Sequence, residues 1–268
     1  MSSAVEEAKT AVPDSETVRR GGGLLMWTLR ILSFVIFIAA WEWYGRRPDS
    51  FTVAPFTDVM QALYDGFASG EFTEALAGTF LAMITGYGIA VVLGVGIGLW
   101  IGVSSYARNT IEPLVNAGYA TPVSLLIPVL GIYFGLGFQG RVTLVVLWCI
   151  FEIIVNTSAG VRDVSPALIE TGRAFNASRR NLYRKVILPA AAPHIMLGLR
   201  LGVAKAIRGA ITAELLLAAA NFGKLMLAAG STFNIPKLLA GILLTVLMGV
   251  ALMAIATRIE KRVMQYRS

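Results

Sequence analysis

Charge is what this 268-residue sequence has least of: Asp, Glu, Lys and Arg together make up 15% of it. A soluble domain needs about 25% to cover its surface, so water is not the main solvent of this chain. Cysteine occurs once, as Cys149, which excludes an intrachain disulfide, and histidine occurs once, as His194. One thiol and one imidazole leave few ways to assemble a metal site or a nucleophilic triad, so neither a metal centre nor a catalytic residue is expected. The phosphate-cradling GxxxxGKS/T, the zinc-binding HExxH and the GxSxG nucleophile turn are all missing. The Cys density of a disulfide scaffold is missing too, and so is the low hydropathy of a disordered chain. What remains is apolar, with 56% hydrophobic residues and a mean hydropathy of +0.69. This is the composition of a membrane protein.

A spanning helix needs about 20 mostly apolar residues. Six stretches qualify: 24–44, 80–103, 121–138, 142–159, 195–220 and 238–257. The first is too long for the apolar core of a signal peptide. Trp41-Glu42-Trp43 also follows Ala39-Ala40 where a cleavage site would need small residues, so the segment reads as a retained anchor. Residues 1–23 read as a mobile polar tail and 24–268 as one transmembrane domain. With the N-terminus in the cytoplasm, the cytoplasmic segments carry 15 Lys and Arg and the external ones 5, Arg141 among them. That bias places both termini inside. Topology and anionic lipid thus account for the net charge of +7, and nucleic acid is not an expected partner. Trp41, Trp43 and Tyr44 form an aromatic cluster at the outer end of the first span. Val59, Met60, Leu63, Tyr64 and Phe67 share a face of a short interfacial helix that Thr57 or Asp58 would cap.

Within the spans, Gly86, Ala90, Gly94, Gly98 and Gly102 place a small residue at every fourth position. Such a stripe lets a neighbouring helix approach closely, and it reads as packing rather than as a ligand contact. The third segment holds Pro122 and Pro128 with Gly131, Gly135 and Gly137, a poor regular helix. Irregular backbone at membrane depth survives only under protein or beside a water-filled cavity, so it is either a packing kink or the lining of a pathway. Ionisable groups inside spans are expensive and therefore informative. Glu42 lies at a span end and snorkels, while Glu152 sits near the middle of the fourth span. In the fifth, Arg200, Lys205, Arg208 and Glu214 fall at about 0°, 140°, 80° and 320° around a helix, with the three cations on one broad face. Either these groups pair structurally, Glu152 with Lys205 or Arg208 for example, or they line a path for a small anion. Arg200 is near enough to the span end to snorkel.

The connection 162–194 is the longest cytoplasmic one and reads as two short helices. Ser165 caps the first, Pro166 takes its first position, and residues 167–175 continue it. Asn176 stands where helices end in a left-handed residue. Ser178 caps a second helix, 179–187, which Pro189 stops. Leu168, Phe175, Leu182 and Val186 are of a buried type, which points to docking against a partner.

The run Glu170-Thr171-Gly172-Arg173-Ala174-Phe175-Asn176-Ala177-Ser178, continuing to Ile187-Leu188-Pro189, resembles the EAA loop of bacterial ABC importer permeases. It is most similar to the nitrate, sulfonate and taurine type. The resemblance runs from about Trp41 to Thr257 and includes Phe134-Gly135-Leu136-Gly137, Asn156-Thr157, Gly198-Leu199-Arg200 and Ala213-Glu214. It departs from the family pattern at Thr171 and Gly172, which replace two alanines, and at Asn176, which replaces a glycine. It departs again at Glu152, where an apolar residue or proline is the rule. Gly172 should weaken its helix by about 1 kcal/mol relative to Ala.

The resemblance implies an all-α polytopic bundle of six transmembrane helices, like a type I ABC importer permease, in the cell inner membrane. It also implies that the loop is a coupling helix inserted into a cytoplasmic ATP-binding subunit, with Phe175 as the apolar knob and Glu170 and Arg173 as polar contacts. Expected partners are two ATP-binding subunits, a second permease copy or paralogue, and an extracytoplasmic substrate-binding protein. ATP and Mg would sit on the ATPase, with no cofactor in this chain. The candidate path residues are Glu152, Lys205, Arg208, Glu214, Pro122 and Pro128. The alternatives are a membrane scaffold or sensor that docks a cytoplasmic partner through the same loop, and a channel or secondary transporter that uses no ATP.

Overall fold

The structure is a computed structural model that describes residues 17–48, 52–135, 137–217 and 220–265. Every regular element among them is helical, and the chain resolves into two compact units, Met1–Gln61 and Ala62–Ser268.

The first unit is built on α1 (Thr17–Gly45). Of the expected tail 1–23, residues 1–16 lie outside the described residues and the remainder, from Thr17 on, is already helix. Between Met26 and Gly45 the helix is apolar enough to span a membrane, and within its unit it leaves side chains such as Trp27, Phe34 and Phe37 more than half exposed. Its far end is pinned. Trp41 Nε1–H donates to the Ala54 carbonyl at 3.0 Å, and the Arg47 guanidinium lies 3.8 Å from the Trp43 ring centroid. Glu42 accepts from the Thr57 backbone N–H at 3.0 Å, the Thr57 hydroxyl at 3.0 Å and Arg46 Nε at 2.6 Å. It therefore organises the turn into α2 (Phe56–Ala68) rather than snorkelling. That helix starts at Phe56, one residue ahead of the expected cap. Of its apolar face Val59 is buried, while Met60, Tyr64 and Phe67 stay exposed.

The second unit is a helical bundle around α3 (Glu71–Val103), α6 (Phe138–Arg162) and α9 (Leu188–Leu216). The small-residue stripe of α3 faces a stripe of larger residues on α6. A Cβ on Gly86 would fall 2.7 Å from Val145, on Gly94 2.9 Å from Ile153, on Gly98 2.6 Å from Thr157 and on Gly102 2.5 Å from Val161. Val145, Ile153, Thr157 and Val161 of α6 thus occupy the space that a missing Cβ leaves on α3. Val145, Cys149 and Ile153 then pack on Ala206, Ile207 and Ala210 of α9 to form the main core.

The third expected span, 121–138, is not one helix. The chain instead runs α4 (Ser105–Ala120), a 3-10 turn Val123–Leu126 and α5 (Ile127–Phe134), and the pair bends by 89° at the break. Pro122 is the cause: it has no N–H to donate, and it forces Thr121 into extended backbone at φ −75°, ψ 128°. Among the described residues five helices are long and apolar enough to cross a membrane, six if this bent pair counts as one span.

Pro189 does not stop a helix either. From α8 (Arg179–Leu182) the chain passes through a π turn, Tyr183–Ile187, straight into α9, with Pro189 in the first turn. A proline is tolerated there because its missing N–H coincides with a register shift that already interrupts the i→i−4 ladder. The fifth span therefore belongs to a helical run of 38 residues, Arg179–Leu216, and ends before the expected Ala220. Opposite the loop end, α10 (Asn221–Ser231) leads into α11 (Ile235–Gln265), whose Lys237 meets Glu71 of α3 at 2.6 Å.

Candidate functional site

The loop between α6 and α9 is ordered by its own residues. Its first helix is α7 (Pro166–Ala174), with Pro166 opening it as expected. Ser165 precedes it, but its hydroxyl makes no capping bond; only its carbonyl accepts, from the Leu168 and Ile169 N–H groups. Asn176 takes φ 52°, its N–H donates to Arg173 O at 2.8 Å and the Ala177 N–H donates to Gly172 O at 3.1 Å. This pair of bonds is the left-handed helix stop that Asn tolerates best after Gly. Ser178 Oγ then accepts the Asn181 N–H at 3.3 Å and starts α8.

Gly172 has a reason that its helix propensity hides. A Cβ there would fall 2.6 Å from Leu182 Cδ1. Leu182 is buried in this contact and Val186 half-buried beside it, so these two hold the loop together rather than facing outward. The outward apolar residues are Leu168, 50% exposed, and Phe175, 83% exposed. They are seven positions apart and so share one face of the helix. Glu170, Arg173, Ala174, Asn176 and Ser178 are exposed around them and Ala177 partly so. Neither Glu170 nor Arg173 has an ion pair among the described residues. A rigid turn thus presents an aromatic knob beside two uncommitted charges.

Mid-bundle, the break at Pro122 opens a cavity of about 250 Å³ between α4, α6 and α9. Pro122, Thr121 and Ser124 line it from the break, Tyr119 from α4, Trp148 from α6, and Lys205 and Arg208 from α9. Lys205 Nζ lies 2.7 Å from Glu152 Oε2 and 4.8 Å from the Tyr119 ring centroid. Glu152 is buried and also accepts from Tyr119 Oη–H at 3.3 Å and Asn156 Nδ2 at 3.1 Å. The ion pair foreseen as the structural role of Glu152 thus exists, and it cancels the charge of Lys205. Arg208 is exposed and has no hydrogen bond or ion pair among the described residues, so the cavity keeps one unspent positive charge. The buried Trp148 Nε1–H has no acceptor among the described residues. Pro128 lines a neighbouring cavity that shares Ser124. Arg200 does not line the first cavity and is committed to Glu260 at 2.9 Å.

Glu214 lies elsewhere, with 1% of its surface exposed. Its carboxylate accepts four hydrogen bonds: from Arg141 Nη1 at 3.1 Å, Asn221 Nδ2 at 3.0 Å, Thr79 Oγ1 at 2.8 Å and the Gly223 N–H at 3.2 Å. These donors sit on α6, α10, α3 and α10, so one residue of α9 ties four helices together at the end opposite the loop. Arg141, placed in an external segment by its position in the sequence, is in fact buried at 8% exposure. The only sequence signal was an opposite charge at the corresponding end of each of two adjacent apolar segments. Breaking a buried pair costs about 3–5 kcal/mol because the remaining charge is left uncompensated. Glu214→Gln is expected to lower the unfolding temperature in detergent sharply, and Glu214→Gln combined with Arg141→Met to recover part of that loss.

Fold and site together define a polytopic helical membrane protein with one sharply bent helix pair, an ordered apolar-tipped loop and a mid-bundle cavity in which, among the described residues, one cation is left free. Residues 90–265 match the model of the binding-protein-dependent transport system inner membrane component. The chain belongs to that family. It is 30% identical over 233 residues to the putative aliphatic sulfonates transport permease protein SsuC of Escherichia coli strain K12, covering 83% of this chain and 87% of that protein. The Bacillus subtilis strain 168 protein of the same name is 27% identical over 59% of this chain and 57% of its own length. The taurine transport system permease protein TauC of Escherichia coli strain K12 is 28% identical over 62% of this chain and 58% of its own length. These last two matches span less than two thirds of the relatives. Among solved structures, an inward-facing form of the MetNI methionine ABC transporter superposes with a TM-score of 0.60 at 20% identity. It covers 73% of this chain and 95% of that one, a likeness of fold.

Proposed function

We propose that this chain is the permease subunit of an ATP-driven importer that moves a small anion across the inner membrane by alternating access, with both termini in the cytoplasm. The observation that carries the substrate class is Arg208. A guanidinium with no partner among the described residues faces a cavity of about 250 Å³, beside a lysine that Glu152 already neutralises. An ionisable group left unpaired within a span marks a pathway, and its charge selects the opposite sign in its ligand. The Pro122 break supplies the irregular backbone that such a cavity needs at membrane depth.

The loop supplies the motor connection. Phe175 and Leu168 enter an apolar cleft on an ATP-binding subunit, where Mg-ATP is held, and Glu170 and Arg173 fix the register. Asn176 and the Gly172–Leu182 contact keep the lever stiff, so closure of the two ATPases is transmitted into α6 and α9. A second permease, a copy or a paralogue, completes the pathway, and an extracytoplasmic substrate-binding protein delivers the solute.

Uptake by the assembled transporter tests the anion assignment. Arg208→Gln is expected to lower uptake at least about tenfold, the loss of one charge-assisted hydrogen bond to the solute. Lys205→Met with Arg208→Gln is expected to be more severe still, and Arg200→Gln to change uptake by less than about threefold, since that side chain serves Glu260. Equal effects of Arg200→Gln and Arg208→Gln would make the charges structural and remove the case for an anion.

A further inference from the structure

A further cavity, which shares no lining residue with the Arg208 site, runs along α9 and α11 with α3 as its floor and encloses about 240 Å³. Met196, Leu199 and Val203 wall it on α9, Leu252 and Ala256 on α11, and Met83 and Tyr87 floor it. The Tyr87 hydroxyl is spent on the Leu199 carbonyl at 2.8 Å, and the one charged residue in the lining, Arg200, is paired with Glu260 at 2.9 Å. Among the described residues the wall therefore offers no free polar group to a hydrophilic ligand. Ile84, Ile255 and Ile259 remain 62%, 49% and 53% exposed at its mouth, so the groove opens sideways from the bundle.

Length and charge narrow the occupant. The α9 wall extends from Met196 to Ala206, which at 1.5 Å per residue is about 15 Å, half of a hydrocarbon layer about 30 Å thick. Its Ala206–Leu252 end lies at mid-bundle, and its Met196–Ile259 end lies toward the loop. Beyond that end, α11 continues with Arg262, one turn past Ile259 on the flank of the same face, and Arg258 lies beside it. Both are exposed and neither has an ion pair or hydrogen bond among the described residues. A dry slot one leaflet deep with uncompensated cations at its polar end matches a lipid tail with an anionic head.

We propose that this groove binds an anionic phospholipid of the leaflet on the loop side, one acyl chain lying between α9 and α11 and the headgroup phosphate against Arg258 and Arg262. The site rests on the chain spanning a bilayer and is independent of what the transporter carries. Its test uses the full complex in lipid nanodiscs, with phosphatidylglycerol carrying a photoactivatable group at mid-chain and the phosphatidylcholine counterpart as control. Labelling is expected on residues 196–206 and 252–259, with phosphatidylglycerol favoured over phosphatidylcholine about tenfold, a factor within reach of two surface cations. Ala256→Phe, which fills the slot, is expected to abolish that labelling while leaving labelling of α1 intact. Arg258→Gln with Arg262→Gln is expected to bring the lipid preference close to one at the same labelled positions, and this readout stands even where Ala256→Phe does not fold. An unchanged preference in the double variant overturns the proposal. So does undiminished groove labelling in a folded Ala256→Phe complex, or a photo-crosslinker at Ile255 that captures α1 or a second copy in place of lipid.

Discussion

Replacing Phe175 by alanine is expected to abolish uptake while the chain still folds and inserts normally. The ring is 83% exposed, so the chain alone loses almost nothing when it goes. Exposed substitutions of this kind stay within about 0.5 kcal/mol. Against a partner the same ring is an anchor, and truncating an aromatic anchor costs about 2–4 kcal/mol, at least about 30-fold in affinity. The two effects separate cleanly. Membrane yield and unfolding temperature should be unchanged, while uptake and retention of the ATP-binding subunit collapse together. Leu168→Ala, on the same face and half exposed, should give a smaller loss in the same two readouts. Asn176→Gly should be silent in both, because glycine keeps the left-handed stop. Wild-type uptake in the Phe175→Ala variant would end the assignment of this loop as the lever.

Gly98→Leu should prevent the bundle from forming at all. A Cβ at Gly98 already falls 2.6 Å from Thr157, and a leucine places three further carbons between α3 and α6. That pair of helices is the spine of the second unit, and the neighbouring contacts at Gly94 and Gly102 leave it no room to tilt away. Overpacking one site typically costs about 1–3 kcal/mol. A position against a neighbouring helix at this distance belongs at or above the top of that range. The internal control lies two residues away. Among the described residues nothing comes within 4 Å of a Cβ built at Gly96, so Gly96→Leu is expected to fold and to run as a single species on size exclusion where Gly98→Leu aggregates. Aggregation of both, or of neither, would mean that the stripe does not set the helix spacing.

The parts of this molecule that could be read from sequence are those whose signal is local. The fourfold spacing from Gly86 to Gly102 announced a close helix contact because small size is visible residue by residue. Asn176 announced a left-handed stop because its side chain is among the few that accept one, and Ser178 announced a cap for the same kind of reason. Where two segments must meet, the text is silent. The α6 partner stripe, Val145 to Val161, looks like any apolar helix until Gly86 to Gly102 is laid against it. Arg141 and Glu214 lie 73 positions apart, and nothing in either neighbourhood says that each will neutralise the other. Gly172 looked like a weak point of its helix because propensity counts only its own turn and not Leu182 across the loop. Pro189 reads as a stop for a related reason. The π turn that accommodates it is a property of five preceding residues with no distinctive side chain among them. Glu152 shows the opposite case. Its burial cost demanded a cation, and Lys205 on the next span was one of two candidates the sequence offered.

The measurement that bears most directly on the account is purification of this chain from its native membrane in mild detergent, with mass spectrometry of what accompanies it. An ATP-binding subunit present at one copy per copy of this chain, and lost from the Phe175→Ala preparation, is the predicted result. A folded preparation in which no ATP-binding subunit accompanies the wild-type chain would contradict it, and would shift the loop to a scaffold or sensor and the cavity to a channel or secondary transporter.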